Sequence, residues 1–253
     1  MLIKAKTIQG YKLNSIDGEI GSIRECYFDD LHWTIRYLVV ETGHWLTGRL
    51  VLISPHSLSN IDAENEVINV SLTKKQIKES PPYDSEKPVS RQYEDEFYNY
   101  YGLPMYWSGS NMWGPYPFIP KEVLDKTKIP NRIENVWEPN LRSTYHVRGY
   151  FLKVNDGEIG HVDDFVIDEE TWAIRYLIVD TRNFLPGKKV LLSPKWIDYI
   201  SWMESKVFVK LDKSAIKQSP DYTEDTMITR NYEEGLHLHY NKKGYWIEDG
   251  EKR

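Results

Sequence analysis

The chain has 253 residues, of which 40% are apolar and 28% charged, and its formal net charge at pH 7 is −6. This is globular composition, and the net acidity disfavours general nucleic-acid binding, which depends on neutralising phosphates. The chain has no apolar run long enough for a membrane-spanning helix, no secretory h-region at its N-terminus and a single cysteine, which together predict a cytoplasmic protein without disulfides.

Short β-strands dominate the first hundred residues. Asp17-Gly18 lies between two strand-like runs and predicts a hairpin turn, because glycine tolerates a positive φ. The strand that follows has an expected irregularity at Glu25. Strands are predicted, in chain order, over residues 11–16, 21–28, 33–40, 50–53 and 67–72.

Two helices follow these strands. Thr73 is a plausible N-cap for a short helix that ends before Pro81, and Asp212 is the corresponding residue later in the chain. Residues 91–101 are predicted to form a second helix. Its aromatic residues at i, i+4 spacing define one face and are Tyr93, Phe97 and Tyr101.

The chain contains an internal repeat at a constant offset of 139 residues. The sequence Asp-Gly-Glu-Ile-Gly occurs at 17–21 and again at 156–160, and the run at 33–38 recurs at 172–177. The match extends to Tyr101 without a gap, which indicates a tandem duplication. The predicted fold class is therefore all-β with peripheral short helices, as two small closed β-barrels from an internal duplication.

Three segments follow from the repeat. Residues 1–101 form the first copy with its C-terminal helix, and residues 141–253 form the second copy with its own. Residues 102–140 lie between them and are rich in proline and aromatic residues, including Trp113 and Tyr116. Prolines disfavour regular elements and the aromatic residues disfavour a solvated linker, so an ordered connector is expected.

The repeated motifs also carry a family resemblance. The Asp-Gly-Glu-Ile-Gly hairpins, the Trp-x-Ile-Arg-Tyr-Leu strands and the Ser-Pro turns of both copies resemble the PRC-barrel family. That family is named for the cytoplasmic barrel of the photosynthetic reaction-centre H subunit, and a related barrel ends the ribosome-maturation factor RimM. The resemblance implies barrels that act as docking surfaces, without a shared catalytic site.

Arg36 and Arg175 are the first candidate interaction residues. Both lie in the middle of apolar strands, where a charge needs a partner. Either each arginine binds an anion or a partner's carboxylate, or each forms an ion pair within the fold with a nearby acid such as Glu41 or Asp29. Because Asp29 and Asp168 are kept with them, the ion pair is favoured.

Aromatic residues in loops supply the other candidates. Trp45 and Phe184 occupy the same position in the two copies, within an aromatic-Leu-x-Gly-basic pattern. They either cover the barrel ends or contact a partner. Trp113 and Tyr116 of the connector are expected to support domain docking or partner binding.

No catalytic, metal or cofactor site is predicted. Asp17 and Asp156 are interpreted as turn residues, and Cys26 as a core residue because Phe165 replaces it in the second copy. His237 and His239 could in principle hold a divalent ion, but residues at i and i+2 on a helix point apart.

The favoured function is a non-enzymatic protein-binding or assembly module with an unidentified protein partner. By resemblance it would dock on the cytoplasmic side of a membrane complex of the electron-transfer type, without spanning the membrane. A homo-oligomer is also compatible with the sequence. Two alternatives stay open: an accessory in ribosome maturation or RNA processing, and a small-ligand binder with a site between the barrels.

Overall fold

The chain is mostly β, with short helices. A computed structural model describes residues 1–84, 89–103, 105–106, 141–181 and 187–250, with backbone alone for the last three. Within these residues the strands are β1 (Leu2–Lys4), β2 (Lys12–Ser15), β3 (Gly18–Asp29), β4 (Thr34–Glu41), β5 (Leu50–Ile53), β6 (Leu58–Asp62), β7 (Val67–Val70), β8 (Leu141–Ser143), β9 (Phe151–Val154), β10 (Gly157–Asp168), β11 (Ile174–Asp180), β12 (Lys189–Leu192), β13 (Ile197–Ser201) and β14 (Lys206–Val209). The helices are α1 (Ala5–Ile8), α2 (Lys74–Lys78), α3 (Arg91–Tyr101), α4 (Thr144–Val147), α5 (Lys213–Gln218), α6 (Arg230–His239) and α7 (Tyr245–Gly250).

These elements form two compact units. The first unit consists of Met1, Ile3–Tyr145 and Asp168–Ala173, and the second holds Leu2 and the rest of the chain. The first unit therefore includes two short pieces from beyond residue 140. The predicted domain boundaries stay a prediction, and most of the predicted connector lies outside the described residues.

The described residues build two sheets of seven strands with matching order. The first sheet runs β5-β4-β3-β2-β7-β6, with β8 added on β3. The second runs β12-β11-β10-β9-β14-β13, with β1, which contains Leu2, added on β10. Neighbouring strands are mostly antiparallel, whereas β2–β7 and β9–β14 are parallel pairs.

The prediction of closed barrels is wrong. Among the described strands, β5 and β6 stand at the two ends of the first sheet, and β12 and β13 at the ends of the second. A 3-10 turn connects these end strands in each sheet, Pro55–Ser57 between β5 and β6 and Pro194–Trp196 between β12 and β13. Pro55 and Pro194 have no amide hydrogen to give to a strand ladder, and Ser57 N donates to Ser54 O (2.9 Å) within its turn.

Both predicted Asp-Gly hairpins are present. Ser15 pairs with Gly18 in the first sheet and Val154 with Gly157 in the second, and both glycines have φ near +130°. The close approach of β3 to β4 explains the last glycine of the motif. A Cβ on Gly21 would collide with the carbonyl of Glu41, so only glycine fits there.

The long strands match the predicted ones with small differences. A register shift between Ile23 and Glu25 confirms the irregularity expected in β3. Strand β4 begins at Thr34 rather than at Trp33. Trp33 has φ of 54° and donates its amide to Asp29 O (2.7 Å), so it closes the turn before the strand. Strands β1, β6 and β8 were not predicted, because each is too short or too polar to show a strand pattern.

The helix N-termini are capped in two ways. Thr73 and Gln76 form a reciprocal capping box at α2, which confirms the predicted N-cap. Asp212 is the N-cap residue of α5, as predicted, but its side chain makes no capping hydrogen bond to the helix. Instead Asp156 of the hairpin accepts a hydrogen bond from Lys213 N (2.9 Å), as Asp17 does from Lys74 N (2.8 Å). The repeated hairpin aspartates therefore act as structural caps.

Helix α3 packs on the first sheet as its aromatic spacing predicts. Phe97 lies edge-on to Tyr37 of β4, with ring centroids 5.2 Å apart. This packing joins the helix to the sheet in one buried cluster, formed by Tyr37, Val39, Leu52, Val89, Phe97, Tyr98 and Tyr106. Cys26 is buried in the first unit, as expected for a core residue. None of the helices in the described part of the chain is long and apolar enough to cross a bilayer.

Candidate functional site

Arg36 is fully buried on β4. Its Nη2 donates to Asp29 Oδ2 at 3.0 Å, and its guanidinium lies 3.9 Å from the centre of the Tyr106 ring. His32 Nδ1 lies 2.7 Å from the same Asp29 oxygen. The ion pair expected for Arg36 is therefore present, and the charge faces the interior of the first unit.

Glu94, in the first turn of α3, is the second ionic centre of this interior. It is fully buried and accepts hydrogen bonds from Tyr37 Oη (2.9 Å) and Tyr106 Oη (2.8 Å) on Oε1. Arg91 Nη1 donates to Oε2 at 2.6 Å. Tyr106 thus links Arg36 to Glu94. The Glu94 cluster is defined as Asp29, Arg36, Tyr37, Arg91, Glu94, Tyr98 and Tyr106.

The two carboxylates of the Glu94 cluster have opposite pKa shifts. Burial raises the pKa of Glu94 to about 7, against the charge of Arg91 and the hydrogen bonds from Tyr106 and Tyr37. Burial also acts to raise the pKa of Asp29. There the hydrogen bond from His32 and the charge of Arg36 prevail, and the pKa is well below its usual range. Near neutral pH, Asp29 is a fixed anion and Glu94 is poised to titrate.

The second unit contains a matching Glu233 cluster. Glu233 Oε1 accepts hydrogen bonds from Tyr176 and Tyr245, both at 2.8 Å, and Arg230 lies 2.9 Å from its other oxygen. Arg175 is partly exposed, and its guanidinium lies 4.1 Å from the centre of the Tyr245 ring. Each of these residues lies 139 positions after its counterpart in the Glu94 cluster.

One position of the two clusters differs in chemistry. Tyr98 of the first unit corresponds to His237, which is buried with Nε2 3.2 Å from Tyr176 Oη and with Nδ1 donating to Lys243 O at 2.9 Å. His239 instead bonds Ala215 O (2.8 Å). The two histidines point to different places, as their spacing predicts. No group of three potential metal ligands occurs among the described residues.

Both clusters attach a helix to a sheet. The glutamate comes from the first turn of α3 or α6, and the tyrosine that bonds it comes from β4 or β11. Buried polar groups that bond one another fix a unique packing, because each would lose its partner if the helix moved. The arginines that the sequence singled out therefore belong to the interior architecture of each unit. Their role in partner binding stays a prediction.

Trp45 lies in the 3-10 turn Gly43–Leu46 and is half-buried. Its indole Nε1 donates to Ile20 O, and the ammonium group of Lys74 lies 5.5 Å from the ring centre. The indole thus bonds β3 of its own unit, and both roles expected for this loop, covering an end of the fold and contacting a partner, stay predictions. The matching Phe184 lies outside the described residues, and so do Trp113 and Tyr116.

The outward side of the second sheet presents a surface that the sequence reasoning missed. Across β9, β14 and β13, the outward residues alternate with buried ones such as Leu152 and Val207. Phe151 pairs with Lys206, and Lys153 pairs with Phe208, which pairs in turn with Tyr199. The Tyr199 and Phe208 rings stack with centroids 4.3 Å apart and an angle of 11°. We call these five residues the aromatic face.

The aromatic face is exposed in the described structure. Phe151 is 46% exposed and Tyr199 is 40% exposed. The turn that follows β13 in the chain holds Met203, which is 99% exposed. Large apolar side chains gathered on one exposed sheet face are typical of interaction sites.

The same side of the first sheet is polar at four of the five corresponding positions, the exception being Val67 at the position of Lys206. The counterparts of Phe151, Tyr199 and Phe208 are Lys12, Asn60 and Asn69. Asn69 donates its side-chain amide to Asn60 Oδ1 (2.9 Å), and Lys12 forms an ion pair with Glu19 at 3.2 Å. One signal in the sequence could have found the aromatic face, namely the positions where aromatic residues replace polar ones between the repeats.

Comparison with known protein families matches residues 153–216 to the PRC-barrel domain. The matched segment runs from β9 to α5 of the second unit. It therefore includes most of the aromatic face. A search of curated proteins found no match.

Proposed function

We propose that the protein is a non-enzymatic protein-binding or assembly module that engages its partner through the aromatic face. The observation that carries the proposal is the exposure of Phe151 and Tyr199 beside Phe208 on a sheet whose counterpart is polar at these positions. The Glu94 and Glu233 clusters agree with the non-enzymatic part of the proposal, because their buried polar groups bond one another within a unit. Apolar surface released from water on association is a general source of binding energy.

We further propose that the two units derive from one duplicated PRC-type unit. The constant sequence offset, the matching strand order and the two corresponding buried clusters support this proposal. After duplication, the outward side would be free to diverge, because outward residues are not needed for the core. The aromatic face would then be the specialised side of the pair.

The resemblance to the reaction-centre H subunit suggests one class of partner. We propose that the protein docks peripherally on the cytoplasmic side of a membrane protein complex. Fractionation of native cells into membrane, ribosomal and soluble pools tests this idea. Recovery with the membrane pool that is lost in a variant of the aromatic face would support it, and recovery with ribosomes would favour the ribosome accessory instead.

The aromatic face itself is tested by a triple variant, Phe151→Lys, Tyr199→Asn and Phe208→Asn, which installs the residues of the first sheet. Tagged wild-type protein and the triple variant would be purified from native cells and their bound proteins quantified by mass spectrometry. We expect at least one near-stoichiometric protein, including untagged copies of the chain itself, to drop at least tenfold.

A matched control changes the same positions of the first sheet: Lys12→Ala, Asn60→Ala and Asn69→Ala. This control should retain the bound protein. Equal recovery with wild type and with the triple variant would exclude the aromatic face as the binding surface.

A further inference from the structure

We infer that the occupant of the aromatic face is a second copy of this chain, packed face to face about a two-fold axis. The inference rests on the proposed function, since it names the partner of the same surface. Three features of the second unit support it: the apolar side chains, the balance of charges around them and the contrast with the first sheet.

The apolar side chains lie on three neighbouring strands. Phe151 on β9 is diagonal to Phe208 on β14, and Phe208 stacks on Tyr199 of β13, the last strand of the sheet. Aromatic side chains bury large areas, and sheets pack face to face through such interdigitating residues. A second aromatic face is a suitable cover, because a ring of one copy can lie against a ring of the other.

The charges around the aromatic residues are balanced. Lys206 pairs with Glu158 (3.0 Å) and with Glu204 (3.4 Å), and Lys153 adds a second cation on the strand between them. Two lysines and two glutamates thus border the aromatic residues, and Asp198, the neighbour of Tyr199, pairs with Lys210 at 2.6 Å, so cations and anions balance there too. A nucleic acid would meet two carboxylates here, and a strongly acidic or basic peptide would leave half of the charges unmatched.

A two-fold axis places the charged residues of one copy opposite different charged residues of the other. In an isologous interface, a residue away from the axis meets a different residue of the other copy, and that same pair forms twice. A surface with equal numbers of cations and anions can therefore complement itself, so that the lysines of one copy approach the glutamates of the other. Charge complementarity favours a second copy over the other occupants.

The first sheet shows how this fold satisfies the same positions in water. Asn60 and Asn69 bond each other, and Lys12 bonds Glu19 on its own sheet. Nothing at these positions requires a cover. The second sheet has aromatic rings in place of the two asparagines and of the lysine. These rings cannot be stabilised by such hydrogen bonds, and association would stabilise them by removing them from water.

Sedimentation equilibrium of the purified full-length chain tests the inference. The probe is the protein itself, from about 1 to 200 μM, a range suited to a small interface. We expect the average mass to rise from monomer towards dimer for wild type and for the first-sheet control. The triple variant of the aromatic face should raise the dissociation constant at least tenfold. Thermal unfolding checks its fold, and Tyr199→Asn alone, an exposed change, serves if the triple variant is unfolded.

The outcomes separate the inference from the proposed function. A dimer weakened by the aromatic-face changes supports both. A monomer at every concentration, or a dimer that the variants leave unchanged, overturns the inference. If the monomer still captures another protein from cells through this face, the proposed function stands with a different occupant. A monomer without such a protein overturns both.

Discussion

The two sheets have the same strand order, yet their outward sides have opposite character. Positions that carry Phe151, Tyr199 and Phe208 in the second sheet are Lys12, Asn60 and Asn69 in the first. The inward residues at neighbouring positions are buried and apolar in both sheets. Because a strand alternates its side chains between two faces, one face can change its chemistry while the other keeps the core. This difference is the basis for our proposal that the outward side of the second unit binds the partner.

The buried clusters of the two units differ less, but in an instructive way. Arg36 is fully buried with Asp29, whereas Arg175 is partly exposed. The first cluster places Tyr98 where the second places His237. Corresponding residues of the two clusters are therefore buried to different degrees. In the predictions below, one unit serves as the control for the other.

The largest effect is expected at the buried ion pair. Arg36→Met should destabilise the protein by about 3–5 kcal/mol, because Asp29 would be left as an uncompensated buried anion. Arg175→Met should cost less than Arg36→Met, because the Arg175 guanidinium is partly exposed and water can reach the groups that the substitution leaves behind. Urea unfolding of both variants measures the difference. Adding Asp29→Asn to Arg36→Met should recover part of the loss, and equal costs for the two arginines would contradict the comparison.

The next effect is a pH dependence from Glu94. Its pKa is raised from 4.5 to about 7 in the folded state, so the folded protein holds this proton more tightly than the unfolded chain. Stability from this group is therefore present below about pH 4.5 and is lost as pH rises towards 7, a change of about 3 kcal/mol.

Glu94→Gln isolates that contribution, because it removes the titrating group and keeps a similar shape. As pH rises from 4.5 to 7, the unfolding free energy of wild type should fall relative to that of Glu94→Gln. Asp29 titrates far below this window and contributes to both proteins alike. A difference that stays constant with pH would show that the pKa of Glu94 is not raised.

A smaller effect is expected at Trp45. Trp45→Phe keeps a ring but removes the indole donor to Ile20 O, which should cost about 1 kcal/mol in thermal unfolding. Trp45→Ala should cost more, because packing is lost as well. If Trp45 serves only to bind a partner, neither variant will change the melting temperature of the isolated protein.

The smallest effects are expected at the hairpin caps, and here the two units should agree. Asp17→Ala and Asp156→Ala each remove an acceptor from the first amide of a short helix, at 2.8 Å and 2.9 Å. Each should cost about 0.5–1 kcal/mol, as for other N-terminal caps. Unequal costs in thermal unfolding would show that the two hairpins do not play the same role.

Much of the local structure was predictable from the sequence. The Asp-Gly turns, the irregularity at Glu25 and the aromatic side of α3 follow from glycine freedom, strand pattern and helical spacing, which act between near neighbours. The Arg36–Asp29 pair was predictable as well, because a charge among apolar residues requires a partner. Cys26 was placed in the core by the ring that replaces it in the repeat.

Other features depend on contacts between residues that are distant in the sequence, and only the tertiary structure decided these. The described sheets are open, with β5 and β6 at the ends of the first and β12 and β13 at the ends of the second, which a count of strands cannot reveal. Glu94 is charged and lies on a helix with acidic neighbours, so its sequence suggests a solvated residue. It is buried because Tyr37 and Tyr106, from two other parts of the chain, converge on it and supply the hydrogen bonds that water would otherwise give.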